Sequence, residues 1–200
     1  MSKILWALGF LIITNLHGQS ANKPASKSPE TKQVTDIVVV FKMHVDIGYT
    51  NWAEGVLQKY SHEMLEETLK SIDQTATLPR SEQFVWTIPG WPLKYMLDHC
   101  SPENKIRLEH AIEEGRIVPH ALPFTFETEA SDLESLVRGL SITEGINQAY
   151  DLPPARDAKL TDVPSHSHAL PTVLKNAGVD FLHLGCNPGS ASPEVPVLFW

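Results

Sequence analysis

An imidazole and a carboxylate stand two positions apart in His44-Val45-Asp46, a few residues after the β-branched run Ile37–Val40. The run predicts a buried strand, and in extended backbone residues i and i+2 lie on the same side of the chain. His44 and Asp46 can therefore converge on one point just past the strand, where Gly48 lets the chain turn. A histidine nitrogen and a carboxylate oxygen are half of a catalytic zinc site. The alternative is a lone His and Asp that cap the following helix.

Polar residues follow the later predicted strands in the same way. His120 follows the third strand, Asp162 and His166 follow the fourth, and Cys186 with Asn187 follows the fifth. In parallel α/β folds the carboxyl ends of the strands lie at one edge, so residues far apart in sequence can meet there. Chance clustering in polar loops is the alternative, but it does not predict His and Asp in preference to Ser, Asn and Lys. The pattern predicts a site at this edge.

Five short apolar runs alternate with amphipathic segments along the chain. Strands are predicted at 37–40, 84–87, 117–122, 158–161 and 181–184, and helices at 51–72, 91–98, 101–115, 131–150 and 169–176. Ser131-Asp132-Leu133-Glu134 has the form of a capping box with Ser131 as N-cap. The order predicts an α/β fold with a parallel sheet, either open and doubly wound or closed into a barrel. No strand is followed by Gly-x-Gly-x-x-Gly, which disfavours nucleotide binding.

The first residues have the composition of an export signal. Lys3 precedes an apolar run from Ile4 to Leu16, and small residues follow it up to Ala21. Residues 1–21 are therefore predicted to be a signal peptide, and residues 22–33, rich in Lys, Ser, Pro and Thr, a polar linker. The folded part is predicted to be 34–200, in a secreted or periplasmic protein without membrane attachment after cleavage.

The net charge limits the possible binding partners, and the cysteine content limits the possible disulfides. The formal net charge of −8 argues against nucleic acid and against an anionic membrane surface. Cys100 and Cys186 either pair in an oxidising compartment or remain buried free thiols. The sequence does not predict an oligomeric state.

Two separated motifs resemble the catalytic domain of glycoside hydrolase family 38, the α-mannosidases, and point to a bacterial branch of it. The segment from His44 to Tyr49 is similar to the family's His-x-Asp-x-Gly-Trp. The segment from Lys159 to Ser167 stands in place of Trp-x-x-Asp-Pro-Phe-Gly-His-Ser. Between them, the segment from Glu134 to Arg138 is similar to a Glu-Ser-Leu-Val-Arg helix. The likeness extends over about Asp36 to Asn187.

This resemblance implies a partial parallel β/α barrel, distorted and of roughly seven to eight strands when complete, with about five βα units here. It implies that His44, Asp46 and Asp162 bind zinc or another divalent metal, and that Asp162 attacks the anomeric carbon. The expected function is a secreted, metal-dependent retaining glycoside hydrolase, α-mannosidase-like, acting on a carbohydrate. In the family, the acid and the last zinc-binding His lie beyond the position of Trp200. We therefore expect 34–200 to be the N-terminal part of the catalytic domain, inactive alone.

Departures from the family pattern leave the sugar and its linkage open. Tyr49 and Lys159 each replace a family Trp, and Val163-Pro164 replaces Pro-Phe. The candidate substrate contacts are His120, His166, Tyr49 and Trp86.

Each of these contacts has a structural alternative. His120 is equally typical of a core histidine, and Trp86 of a buried indole. His166 either orients Asp162 or caps the following helix.

Two other functions fit the same residues. A metal-dependent polysaccharide deacetylase also places His and Asp at barrel strand ends, and there a bound water attacks. A carbohydrate-binding remnant would retain the sugar site without catalysis. Only the glycosidase requires a carboxylate nucleophile, so a covalent glycosyl-enzyme on Asp162 would distinguish it.

Overall fold

The computed structural model of this protein describes residues 34–163, 165–185 and 187. Residues 34–37 belong to one compact unit and the residues from Val38 onward to a second, which contains every helix and strand below. The predicted signal peptide and linker lie outside the described residues. No helix in the described part is long and apolar enough to cross a bilayer.

All described strands are parallel. Three of them, in the order β1-β2-β3, form one sheet: β1 Phe41–Lys42, β2 Trp86–Pro89 and β3 Ile117–His120. Two others pair separately: β4 Asp157–Thr161 and β5 Phe181–Gly185. The amide of Ala121 donates to the carbonyl of Asp157 at 2.8 Å and so joins the end of β3 to the start of β4. The predicted parallel α/β class is confirmed; a closed barrel stays a prediction.

Helices connect the strands. They are α1 Ala53–Lys59, a π-helical turn Tyr60–Met64, α2 Leu65–Thr75, α3 Gly90–His99, α4 Pro102–Glu113, α5 Leu133–Ala149 and α6 Leu170–Asn176. Two short 3₁₀ turns lie at Arg80–Glu82 and Thr128–Ala130.

Local capping fixes the helix ends. The Ser101 side chain accepts from the Asn104 amide at 3.2 Å, and Gly115 follows α4 at φ 64°, as a C-terminal glycine should. The N-cap of α5 is Asp132, whose carboxylate accepts from the Ser135 amide at 2.6 Å. The prediction of Ser131 as N-cap was therefore wrong by one residue.

The first strand is shorter and more exposed than predicted. Val38, Val39 and Val40 are exposed and belong to no strand. Pairing with β2 begins at Phe41↔Trp86, and the segment before Trp86 follows a 3₁₀ turn and offers no strand for earlier residues to pair with. A β-branched run thus forms a strand only where a neighbouring segment pairs with it.

Alternate side chains of the strands face opposite sides of the sheets, and one of the two sides is apolar. On the apolar side, Trp86, Ile88 and Ile117 pack into a core with α2, α3 and α4, and Ala158 and Leu160 pack against α6. The polar side of β1 and β4 carries Lys42, Lys159 and Thr161.

The polar faces of the first and fourth strands meet. Lys42 Nζ donates to Thr161 Oγ1 at 2.9 Å. If β4 followed β3 in a flat sheet, β1 and β4 would stand about 14 Å apart, beyond the combined reach of these two side chains. The strands therefore curve, and residues at the ends of β1 and β4 come together.

Candidate active site

His44 and Asp162 lie together just past the ends of β1 and β4. His44 Nε2 is 3.6 Å from Asp162 Oδ2, and both side chains are partly exposed, at 32% and 51%. These residues are 118 positions apart, so their meeting follows from the parallel arrangement of the strands. Two zinc ligands at about 2.0–2.2 Å in tetrahedral geometry stand about 3.4 Å apart. The spacing of this pair therefore fits two ligands of one metal ion.

Asp162 has an unusual backbone. Its φ of 62° lies in the left-handed region, which Asp tolerates better than most residues but which still costs free energy. The amide of Asp162 donates to the Gly185 carbonyl at 2.8 Å, and Asn187 Nδ2 donates to Asp162 Oδ1 at 2.6 Å. These contacts with β5 and the residues after it hold the turn that directs the other carboxylate oxygen toward His44.

His44 is held from two sides. The Tyr60 hydroxyl donates to the His44 carbonyl at 2.9 Å, and Thr161 Oγ1 lies 3.3 Å from His44 Nδ1. Tyr60, Thr161 and Lys42 were not among the predicted site residues. Tyr60 was assigned only to the apolar side of a helix and Thr161 only to a strand; nothing in either residue type indicates contact with His44.

Asp46 lies close enough to Tyr60 for its charge to affect the titration of the phenol. Burial, together with the negative charge of Asp46, raises the pKa of Tyr60 to about 12. Among the described residues, no three His, Cys, Asp or Glu side chains are arranged to hold one metal ion. The structure thus brings His44 and Asp162 together, and Asp46 does not complete a three-ligand group with them.

The two aromatic candidates have opposite environments. Tyr49 is 93% exposed, beside a turn in which the Gly48 amide donates to the Asn51 carbonyl at 2.9 Å. Trp86 is 5% exposed and packs in the core of the first sheet. Tyr49 therefore has a free ring face for a ligand, as does the nearby Trp52, which is 86% exposed.

His120 is an interior residue, 2% exposed, at the end of β3. Its Nδ1 accepts from the Leu122 amide at 3.3 Å, and its carbonyl accepts from the Thr143 hydroxyl at 2.9 Å. Burial, with the positive charges of Lys159 and Lys42, lowers its pKa to about 3. The imidazole is therefore neutral at physiological pH.

His166 belongs to a loop that packs on the segment before α5. The Ser167 amide donates to the buried Thr128 hydroxyl at 2.8 Å, and Ser165 Oγ donates to Glu127 Oε2 at 3.5 Å. The Nδ1 of His166 is buried and has no hydrogen-bond partner within the described part of the chain. Burial lowers the pKa of His166, although the negative charges of Glu127 and Glu129 act to raise it. The loop brings Glu127 close to the segment that follows Asp162.

Lys159, which replaces a family Trp, is 9% exposed and forms an ion pair with Asp157 on the same face of β4. Desolvation, with the neighbouring charge of Lys42, lowers its pKa to about 8. A charged pair thus occupies the position at which the family that the chain resembles has a Trp.

Only one of the two cysteines belongs to the described part of the chain. Cys100 has a free thiol, and burial raises its pKa. Cys186 lies outside the described residues, so the predicted pairing stays a prediction.

Comparison with known proteins shows the fold. The crystal structure of an α-mannosidase from Enterococcus faecalis V583 is similar to this chain with a TM-score of 0.61 and 18% sequence identity, covering 72% of this chain and 16% of that chain. A 4-α-glucanotransferase from Thermococcus litoralis is similar with a TM-score of 0.49 and 14% identity, covering 72% of this chain and 22% of that chain. No family model and no curated protein sequence matches the chain. The fold is thus like a part of a glycoside hydrolase, and this chain spans a small part of the length of either neighbour.

Proposed function

We propose that this protein is a carbohydrate-active enzyme, a metal-dependent retaining glycosidase related to the family 38 α-mannosidases, with Asp162 as its nucleophile. The observation that carries the proposal is the pairing of His44 and Asp162 at the strand ends, at a spacing that two ligands of one metal ion would have. The likeness of fold to an α-mannosidase supports it.

In this proposal Asp162 attacks the anomeric carbon through one carboxylate oxygen. A bond forms between that oxygen and the carbon while the glycosidic C–O bond breaks, and the leaving oxygen takes a proton from a second carboxylic acid. Water then releases the sugar from Asp162. The family resemblance places the acid beyond Trp200. Among the described residues, Glu127 is the alternative, because the loop after Asp162 contacts it.

A divalent metal, zinc in the first instance, would be held by His44 and Asp162, with Asp46 as the third ligand. When bound, it would supply a positive charge that stabilises sugar hydroxyls and favours distortion of the ring. Asp46 does not form a three-ligand group with His44 and Asp162 in the structure, so its carboxylate has to turn toward them when the metal binds. Tyr49 would then offer its ring to one face of the sugar.

Trapping of the covalent intermediate tests the proposal. The complete protein is incubated with a 2-fluoro-mannosyl fluoride, and the peptide that contains Asp162 is examined by mass spectrometry. We expect one added fluoroglycosyl group on Asp162 and none in Asp162→Asn.

Other outcomes identify the rival functions. Release of acetate from an acetylated polysaccharide, with no labelling of Asp162, would indicate a deacetylase. Sugar binding by calorimetry without labelling or turnover would indicate a binding remnant. Labelling of another carboxylate would overturn the assignment of the nucleophile.

We further propose that residues 1–21 are removed on export. Expression with a C-terminal tag and mass analysis of the mature N-terminus tests this: the mass of a chain that begins close to Asn22 is expected, and an intact Met1 in exported protein would contradict it.

A further inference from the structure

The Thr161 hydroxyl is shared by two basic side chains. Lys42 Nζ lies 2.9 Å and His44 Nδ1 lies 3.3 Å from the same Oγ1 atom. On the other side of the imidazole, Nε2 faces Asp162 Oδ2 at 3.6 Å. Thr161, His44 and Asp162 thus form a short chain of polar groups that ends at the proposed metal position.

The roles of donor and acceptor in this chain can be counted. A threonine hydroxyl has one hydrogen and two lone pairs, and a lysine ammonium can only donate. Lys42 therefore uses one lone pair of Thr161 and leaves the oxygen with one hydrogen and one lone pair. The hydroxyl can then either donate to a bare His44 Nδ1 or accept from a protonated one.

We propose that Thr161 is a positioning residue that keeps a hydrogen bond to His44 while the imidazole exchanges its proton between its two nitrogens. Without a cation, Nε2–H faces the Asp162 carboxylate and Nδ1 accepts from the Thr161 hydroxyl. With a cation, Nε2 is bare, and Nδ1–H donates to Thr161. One proton leaves Nε2 to water and one enters Nδ1 from water, so His44 stays neutral.

The electrostatics favour a different tautomer in each state. A bare Nε2 facing a carboxylate oxygen would place two lone pairs toward each other, whereas Nε2–H presents a positive hydrogen. A bound cation reverses this preference, since it requires the Nε2 lone pair. A backbone carbonyl at Nδ1 could only accept a hydrogen bond and would therefore suit only the cation-bound state. The Thr161 hydroxyl can donate in the metal-free state and accept in the cation-bound state.

Three variants isolate the hydroxyl. Thr161→Val keeps the shape of the β4 side chain without its oxygen, and Thr161→Ser keeps the oxygen. Thr87→Val is the matched control: it makes the same change at the β2 residue that pairs with Lys42.

Two measurements on the complete protein test the proposal, and only the second rests on the proposed function. The first is the tautomer of His44 in metal-free protein at about pH 8, above the ordinary imidazole pKa, from two-bond proton–nitrogen NMR correlations. The second is zinc affinity by competition with a chelator. Thermal melts confirm that each variant is folded.

We expect the metal-free wild type, Thr161→Ser and Thr87→Val to carry the proton on Nε2, and zinc to move it to Nδ1. In Thr161→Val the proton should stay on Nε2, because the Asp162 carboxylate selects that tautomer, but the Nδ1 resonance should move to that of an imidazole nitrogen without a hydrogen bond. Zinc affinity should weaken by roughly 10- to 100-fold. An unchanged Nδ1 resonance in Thr161→Val, or equal changes in Thr161→Ser and Thr161→Val, would overturn the role of Thr161. If the wild type binds no zinc, the metal part of the proposed function fails, and the Nδ1 resonance of the metal-free protein still decides the role of Thr161.

Discussion

The hydroxyl of Tyr60 donates a hydrogen bond of 2.9 Å to the backbone carbonyl of His44. Tyr60 is buried at the start of the π-helical turn Tyr60–Met64, which interrupts an otherwise continuous helical segment. Turns of this kind are frequent at functional sites because they displace one side chain from the regular helical position. Here the turn presents a phenol to the loop that carries His44.

Tyr60→Phe should therefore weaken both the fold and the site. Loss of the hydrogen bond is expected to reduce the free energy of unfolding by about 1 kcal/mol, and the less constrained His44 should bind zinc more weakly. Urea unfolding and zinc titration measure the two effects. Tyr95→Phe is the control, because Tyr95 contacts His99 through its stacked ring, with centroids 4.0 Å apart. Equal behaviour of the two variants would show that the Tyr60 hydroxyl does not support His44.

Asp162 combines the proposed role of nucleophile with a strained backbone, and two substitutions separate the two properties. Asn tolerates the left-handed conformation, so Asp162→Asn should unfold at nearly the wild-type urea concentration while losing turnover, because an amide is not a nucleophile. Asp162→Ala should lose turnover and also about 1 kcal/mol of stability, since a Cβ without a polar group is disfavoured at this φ. Residual hydrolysis by Asp162→Asn close to that of the wild type would place the nucleophile elsewhere.

Helix ends were predictable to within a residue or two because their signals are local. Ser101 caps α4 and Gly115 follows its last turn, whereas the N-cap of α5 is Asp132 in place of Ser131. The extent of β1 was not predictable, because it depends on where β2 becomes extended. In the same way, the burial of Trp86 depends on what packs over it, which no local pattern specifies.

The candidate site was predictable only in part, because the contacts that support it join residues far apart in the sequence. The rule that parallel strands end at one edge correctly brings His44 and Asp162 together. The supporting groups Tyr60 and Thr161 are residue types common in any helix or strand, and their contacts with His44 exist only in three dimensions. Asp46 shares the predicted face with His44 by spacing, but β1 ends at Lys42, so both residues lie beyond the strand, where extended geometry does not hold.

His120 should make stability depend on pH. Burial lowers its pKa to about 3, while an unfolded imidazole titrates near 6.5. The unfolded state therefore binds the proton first, and the stability present above about pH 6.5 is lost as the pH falls toward 3. This linkage amounts to roughly 2 kcal/mol between pH 7.5 and 5.

His120→Asn tests this dependence, because its Oδ1 can replace Nδ1 as acceptor for the Leu122 amide and does not titrate. Urea unfolding is measured at both pH values for the wild type, His120→Asn and the exposed control His110→Asn. The wild type and the control should lose stability in acid by roughly 2 kcal/mol more than His120→Asn. Parallel losses in all three would show that His120 is not the group responsible.

The start of α3 fits closely against α5, and a single methyl group should separate them. A Cβ built on Gly90 would lie 2.1 Å from Thr143 Oγ1 and 3.2 Å from Thr143 Cα, so it meets backbone as well as side chain. Thr143 cannot turn away freely, because it is 1% exposed and its hydroxyl donates to the His120 carbonyl at 2.9 Å. The Gly90 amide also donates to the Leu122 carbonyl at 3.1 Å, which fixes the end of β3 to α3.

Gly90→Ala is therefore expected to lower the free energy of unfolding by about 1–3 kcal/mol, the usual result of forcing atoms into a packed interior. Gly145→Ala is the matched control within α5, where the added Cβ would meet nothing within 4 Å. That change should stabilise the protein by about 0.5–1 kcal/mol, because alanine favours the helix over glycine. Urea unfolding of both variants gives the comparison. If α3 and α5 pack as described, the two substitutions change the free energy of unfolding in opposite directions. A stabilised Gly90→Ala would mean that these helices do not fix the end of β3.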